Sequence, residues 1–369
     1  MQRLVCAADR HRLDQAVIAL APGRDLGESL AREGIQVDCL GMSRGAISIG
    51  SITRFGGIVK RVRPAVIQSW TYNANLFACL AKAVAPGAAI IWNIRTVPYR
   101  AQLGARQRLV VELGRLVSSV PNAIVYNSLA GQSVHSARGF STKKAVVIHN
   151  GIPLPSPVRC RQDGQEWRRR WGFAEGDVVV SYVKRLVDPR WHELFLQAAR
   201  RVAESNEHVR FVCVGRGISR LDALARRVFD SPELLRRCLL MEHVTDVSPV
   251  YGGSDIVVSA SGREGFPNSI GEAMACGVPC VVTDVGDSAL LVDGTGRSVP
   301  FGNVGDLAEA IRHMVEIGDE RRRQLGARAH ARIAEGFSLD RMVQQYTALY
   351  EWAGASRTPA HPGAEACAG

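Results

Sequence analysis

A chain of 369 residues with 46% hydrophobic and 22% charged side chains is too long for one compact core and too apolar for a disordered segment. No run of roughly 18 uncharged apolar residues marks a membrane-spanning helix, and Met1 to Asp14 lacks the apolar centre of a signal peptide, so the expected location is the cytoplasm. The net charge of +11 is one-sided: residues 1–150 hold 19 Lys+Arg against 7 Asp+Glu, and Glu112 is the only acidic residue between Cys39 and Asn150. That field suits an anionic partner (nucleic acid, acidic lipid or a phosphorylated substrate), although an Arg-rich proteome gives the same balance without one. The nine cysteines, among them Cys276 and Cys280 with three residues between them, form no two-residue metal or redox spacing and read as reduced core thiols.

Short β-branched runs alternate with longer amphipathic stretches along the chain. Strands are predicted at Ala16–Leu20, Ile35–Leu40, Ala65–Gln68, Ala89–Asn93, Ala123–Asn127 and Ala145–Ile148. A second set follows at Val178–Val183, Val209–Val214, Cys238–Met241, Asp255–Ser259 and Cys280–Thr283. Most intervening segments are long enough for crossover helices, which predicts two doubly wound parallel α/β sheets. The break is expected after Asn150-Gly151, where Pro153, Pro155 and Pro157 follow closely. The expected domains are therefore residues 1–150 and 151–338, then a helix over 339–354 that packs back on the first domain and a disordered tail over 355–369.

The most informative segment runs from Glu264 through Gly265, Phe266, Pro267, Asn268 and Ser269 to Glu272 and on to Gly277 and Pro279. Ser269 with Glu272 three residues later matches a capping box, and Gly277 with Pro279 marks the stop of a short helix. A helix N-terminus at the edge of such a sheet attracts phosphate, and a carboxylate beside it can accept hydrogen bonds from the hydroxyls of a sugar. Read alone, however, the pair is accounted for by a capping glutamate and a solvated loop residue.

The same segment resembles the signature of the retaining family 4 glycosyltransferases of the GT-B fold, in which two glutamates stand eight residues apart. The resemblance extends from about Ile35 to Tyr350 and includes Asn150-Gly151 and Val281 to Ser288. It implies two Rossmann-like domains facing a cleft, Glu272 on the donor ribose, Glu264 on the donor sugar, and the backbone from Phe266 to Ser269 around sugar and diphosphate. It also implies a pair of cations on the diphosphate; Arg185 matches, Arg190 stands where Lys is usual, and Trp191 where a small or polar residue is common. Gly215, in the turn Gly215-Arg216-Gly217, and Glu242-His243 fall where the nucleotide is expected. In the first half, Arg95 is the preferred contact for acceptor or donor phosphate, ahead of Asn93, Ser128 and His135, the last expected to be structural.

Family members begin with a strand and a Gly-rich turn, whereas Met1 to Ala16 reads as a helix; the missing first strand is expected to leave two neighbouring strand edges open, and a misassigned start is the favoured explanation. The expected activity is metal-independent glycosyl transfer from a UDP- or GDP-type nucleotide sugar to a glycan or lipid-linked acceptor in cell-surface polysaccharide synthesis, with no cofactor beyond the co-substrate. Residues 103–120 carry a basic amphipathic pattern suited to an anionic membrane at the inner face, or to an ordinary packed helix. The alternatives are an inactive donor-binding partner subunit and a nucleotide-sugar epimerase. A nucleic-acid partner is not expected, because the basic half lacks interleaved aromatics.

Overall fold

The computed structural model describes residues 1–22, 24–42, 48–97 and 104–355, with side chains 24–26 left aside. The tail predicted to be disordered, beyond Ala355, lies outside the described residues. The chain divides into two compact units, Met1–Gly151 with Leu339–Gly369, and Ile152–Ser338.

In the first unit, β1 (Ala16–Ala19) pairs in parallel with β2 (Gln36–Cys39), and β3 (Val66–Trp70), β4 (Ala89–Ile94), β5 (Ala123–Tyr126) and β6 (Ala145–Val147) form a separate parallel sheet in that order. The register sets Val66 beside Ala89, Ile91 beside Ala123, and Ile124 beside Ala145. Both faces are covered, as a parallel sheet requires. Ile90, Trp92 and Ile94 point into one cluster with Val111 and Phe140, while Ala89 and Ile91 meet Met342, Tyr346 and Leu349 on the other side. Those last three belong to the helix Leu339–Ala355, and each fully buried side chain contributes roughly 2 kcal/mol. Their sum is comparable with the net stability of a small domain, so the C-terminal helix is integral to this unit. Gly151 is required where that helix begins, because a Cβ there would lie 2.8 Å from the Leu339 Cα.

Among the described residues, β1 pairs only with β2 and β3 only with β4. The facing edges of β1 and β3 line an apolar cavity of about 430 Å³, with Leu30, Phe55, Val59 and Phe77 on its walls and Met1 at its rim. The Met1 amino group is lowered to a pKa of about 5, chiefly by burial and then by the charges of Arg95 and Arg3. Residues Gln2–Ala7 are helical, and Met1 to Gln15 contribute no strand before β1.

The second unit holds one parallel six-stranded sheet. Its strands are β7 (Val178–Val183), β8 (Val209–Val214), β9 (Cys238–Met241), β10 (Ile256–Ser259), β11 (Cys280–Thr283) and β12 (Arg297–Val299), in the spatial order β12-β11-β10-β7-β8-β9. β12 was not predicted: its Arg297-Ser298-Val299 run is mostly exposed on the sheet edge and offers one apolar residue. Along β7 the faces alternate, with Val180 and Tyr182 against the helix cluster around Phe195 and Val202, and Val179 against Trp167 and Val250. The first strand, β7, sends its connection to one side and β10 sends its own to the other. The switch point of this doubly wound sheet therefore lies between β7 and β10, and ligands of such sheets bind beyond the carboxyl ends of the strands there.

His135 in the first unit is fully buried in the helix Leu129–Ala137, with Nδ1 2.7 Å from the Gly131 carbonyl and Nε2 2.6 Å from the Tyr72 hydroxyl. A neutral ring satisfies both: Nδ1–H donates to the carbonyl and Nε2 accepts from the tyrosine. Burial lowers its pKa from 6.5 to about 4. The neutral form is the one that the fold stabilises, so stability is complete above about pH 6.5 and is lost as pH falls from there towards 4, by at most about 3 kcal/mol. Denaturant titrations at pH 7.5 and 4.5 are expected to show this loss, and His135→Gln is expected to reduce the difference; an unchanged pH dependence in the variant contradicts the assignment.

Candidate functional site

The loops leaving the carboxyl ends of β7, β8, β9, β10 and β11 interlock at the switch point. Lys184 and Arg185 follow β7. Gly215 follows β8 and lies against their backbone so closely that a Cβ would sit 2.2 Å from the Lys184 carbonyl oxygen. The Lys184 amide donates to Val214 O at 2.8 Å and the Leu186 amide to Arg216 O at 2.9 Å, which zips the two loops together. Glu242, just past β9, accepts from the amides of Gly217 and, at 3.0 Å, Ser219. Those amides lower the Glu242 pKa, so this exposed carboxylate holds the β8 turn in shape. His243 beside it is exposed.

On the other side of the switch point, Glu264 lies in the loop between β10 and the helix Asn268–Ala275. Its carboxylate forms an ion pair with Lys184, the two side chains being 18% and 16% exposed. The Lys184 ammonium also donates to the buried Ser261 hydroxyl at 2.5 Å and stands 5.0 Å above the Trp191 ring. Arg263 approaches the same indole at 5.7 Å. Gly286, after β11, packs on the Glu264 and Gly265 carbonyls, where a Cβ would come within 2.5 Å, and the Asp287 amide donates to Gly265 O at 2.9 Å. The backbone after β11 on one side and the Lys184 side chain on the other thus hold the glutamate loop.

The helix that follows starts differently from the sequence reading. Pro267 is the N-cap and no side chain caps it; the amides of Ile270 and Gly271 both reach the Pro267 carbonyl at 3.1 Å. Ser269 is already inside the first turn, so the expected Ser269–Glu272 capping box does not form. Proline, with its fixed φ, begins the helix two residues earlier than a serine cap would. Asn268 is exposed and Ser269 half-buried at the positive end of this helix. Phe266 turns inward, 4% exposed and 5.6 Å from the Phe337 ring, leaving only its backbone to the surface. Glu272 is half-buried beside Tyr251, whose pKa is raised by burial first and by the Glu272 charge second.

The two arginines expected to act together are not alike. Arg185 is exposed and has no ion pair or side-chain hydrogen bond to any described residue. Arg190 stands 76% exposed at the start of the helix Pro189–Ser205, bound to Asp188 at 2.7 and 3.1 Å. That pairing holds the Asp188 carboxyl below its usual range. Trp191, the next residue, takes the inward position at 6% exposure. Sequence reasoning did not single out Lys184, Ser261, Arg263 or the buried His192, whose ring lies 3.4 Å from the Lys184 carbonyl. The available signal was the adjacency of Lys184 to Arg185 at the end of an apolar strand. Arg95 belongs to the first unit, where it donates to Asn150 at 2.6 Å and lies 5.3 Å over Trp70. Asn93 is buried against the Tyr346 hydroxyl, and Ser128 caps its helix by accepting from the Gly131 amide. Among the described residues no group of three or more His, Cys, Asp or Glu converges as a metal-ligand set.

Comparison with known proteins agrees with this fold. The glycosyltransferase family 4 domain matches residues 1–155 and the group 1 glycosyl transferase domain residues 177–316. The D-inositol 3-phosphate glycosyltransferase of Mycobacterium tuberculosis strain H37Rv is 28% identical over 240 residues, 64% of this chain. The chain aligns with 49%, about half, of the length of the curated relatives it matches. Among solved structures, HepE of Anabaena in complex with UDP superposes with a TM-score of 0.80 at 20% identity over 95% of both chains. Sucrose-phosphate synthase from Thermosynechococcus elongatus gives 0.70 at 17% identity, covering 91% of this chain and 98% of the other. The fold is GT-B, two Rossmann-like units. The chain belongs to the family 4 glycosyltransferases.

The closest backbone approach at the site gives a direct test. Gly215→Ala forces the β7 and β8 loops apart and is expected to cost about 2–3 kcal/mol, read as a lower denaturation midpoint. An unchanged midpoint contradicts the packing described.

Proposed function

We propose that the chain transfers a glycosyl group, with retention of configuration, from a nucleoside diphosphate sugar to a glycan or lipid-linked acceptor of cell-surface polysaccharide synthesis. The observation that carries this reading is a half-buried, ion-paired carboxylate, Glu264, set between the β7 and β10 loops at the switch point and beside a helix N-terminus. Glu264 would hold sugar hydroxyls, Glu272 the ribose, Arg185 the diphosphate, and the backbone of Gly265 to Ser269 would line the sugar and phosphates. Gly215 and the turn braced by Glu242 would lie under the nucleotide, with His243 near the base. In the reaction the C1–oxygen bond to the diphosphate breaks and its electron pair leaves with the phosphate oxygen. The acceptor oxygen bonds to C1, and its proton passes to the departing diphosphate.

A UDP-type donor is supported by HepE, solved with UDP and with UDP-glucose, and a GDP type is the other class to be screened. Peripheral contact with an anionic membrane at the cytoplasmic face is supported by the helix Ala105–Leu116, which leaves Leu109, Leu113 and Leu116 exposed at 60%, 42% and 65% in a strongly basic half of the chain. Leu103, where the amphipathic pattern begins, lies outside the described residues. Among the described residues, no helix is long and apolar enough to cross a membrane.

The test is release of nucleoside diphosphate from a panel of UDP- and GDP-sugars. One donor is expected to turn over, and Glu272→Ala to lower kcat/KM for it by about 100-fold, the scale of a lost charged hydrogen-bond pair. Binding without turnover would identify a donor-binding partner subunit instead, and turnover unaffected in the variant would remove Glu272 from the donor site.

A further inference from the structure

We propose that Lys184, and not Arg190, supplies the second positive charge on the donor diphosphate, and that it is released from Glu264 as the sugar arrives. This rests on the donor-binding reading above. A clamp needs two cations converging on one point. Arg190 does not offer one, since its guanidinium is 76% exposed and doubly bound to Asp188. The helix position that follows it, Trp191, is turned inward and carries no charge.

The indole instead supports a cation from the other side. The Lys184 ammonium stands 5.0 Å over the Trp191 ring and meets Ser261 and Glu264 at the switch point. Arg185 is the adjacent residue, and its side chain has no polar partner among the described residues. Lys184 and Arg185 are consecutive cations on one loop, whose backbone is fixed by the Gly215 contact and by the hydrogen bonds of the Lys184 and Leu186 amides.

An ammonium has three donors, and here two are engaged, one with a neutral hydroxyl and one with the carboxylate. When sugar hydroxyls take over Glu264, the carboxylate exchanges a charged partner for neutral ones. The ammonium exchanges a single carboxylate for a diphosphate of greater charge, on which more charge develops as the glycosidic bond breaks. The Lys184–Glu264 pair thus keeps both groups satisfied while the site is empty and is opened by a ligand that brings hydroxyls and phosphates together.

The experiment uses the full chain and compares binding of nucleoside monophosphate and diphosphate, together with turnover of the accepted donor, in wild type, Arg190→Ala, Lys184→Met and Lys184→Arg. Expected for Arg190→Ala is a change within about 3-fold in every quantity. Lys184→Met is expected to weaken diphosphate binding by about 10-fold or more with monophosphate binding unchanged, and to lower kcat by about 100-fold. Lys184→Arg should recover part of the diphosphate affinity. A loss in Arg190→Ala matching that of Lys184→Met, or equal weakening of mono- and diphosphate by Lys184→Met, overturns the assignment. Diphosphate binding that survives Lys184→Met unchanged overturns it too, while the donor-binding reading stands. A wild-type chain that binds no nucleoside diphosphate overturns both.

Discussion

The Lys184–Glu264 ion pair joins the two loops whose connections leave the second sheet in opposite directions. A doubly wound sheet necessarily opens a crevice at that place, because neither connection crosses it. Left to itself, such a crevice would hold a half-buried glutamate and a half-buried lysine at a cost in desolvation. Paired, they offset one another, and removing either one strands the other in a poorly solvated position. The ion pair, the Gly215 contact on one flank and the Gly286 contact on the other make the rim of the sheet a single rigid surface.

That rigidity explains the use of several residues whose chemistry is not catalytic in itself. Glu242 spends its carboxylate on two backbone amides, and His192 lies buried beneath the Lys184 carbonyl with its pKa lowered by burial. Asp188 caps a helix and binds Arg190. In the first unit Asn93 and His135 likewise bind Tyr346 and Tyr72. Polar residue types near strand ends therefore divide into those that hold loops and those left to meet a ligand, and only geometry separates the two groups.

The strand periodicity was readable because parallel sheets are buried on both faces, which makes runs such as Val178–Val183 and Val209–Val214 apolar apart from Ser181 and Arg210. β12 escaped because an exposed edge strand of three residues carries no such run. The cap was misread for a related reason: Ser269 and Glu272 have the right spacing, but the proline ahead of them starts the helix first. The cation pair illustrates a deeper limit. Sequence spacing counts charges along a helix start, whereas whether Arg190 or Trp191 turns inward depends on Asp188, Gly262 and the indole packing beneath the glutamate loop, where a Cβ on Gly262 would lie 2.7 Å from the Trp191 Nε1. The Asp188–Arg190 pair is local, but the Trp191–Gly262 contact joins segments some 70 residues apart.

The most direct measurement is a crystal structure of the chain with the nucleoside diphosphate of its accepted donor. The account predicts the diphosphate beyond the carboxyl ends of β7 and β10, against Arg185 and the start of the helix Asn268–Ala275, with the ribose at Glu272. A nucleotide bound away from these loops, with the Lys184–Glu264 surface untouched, would contradict it.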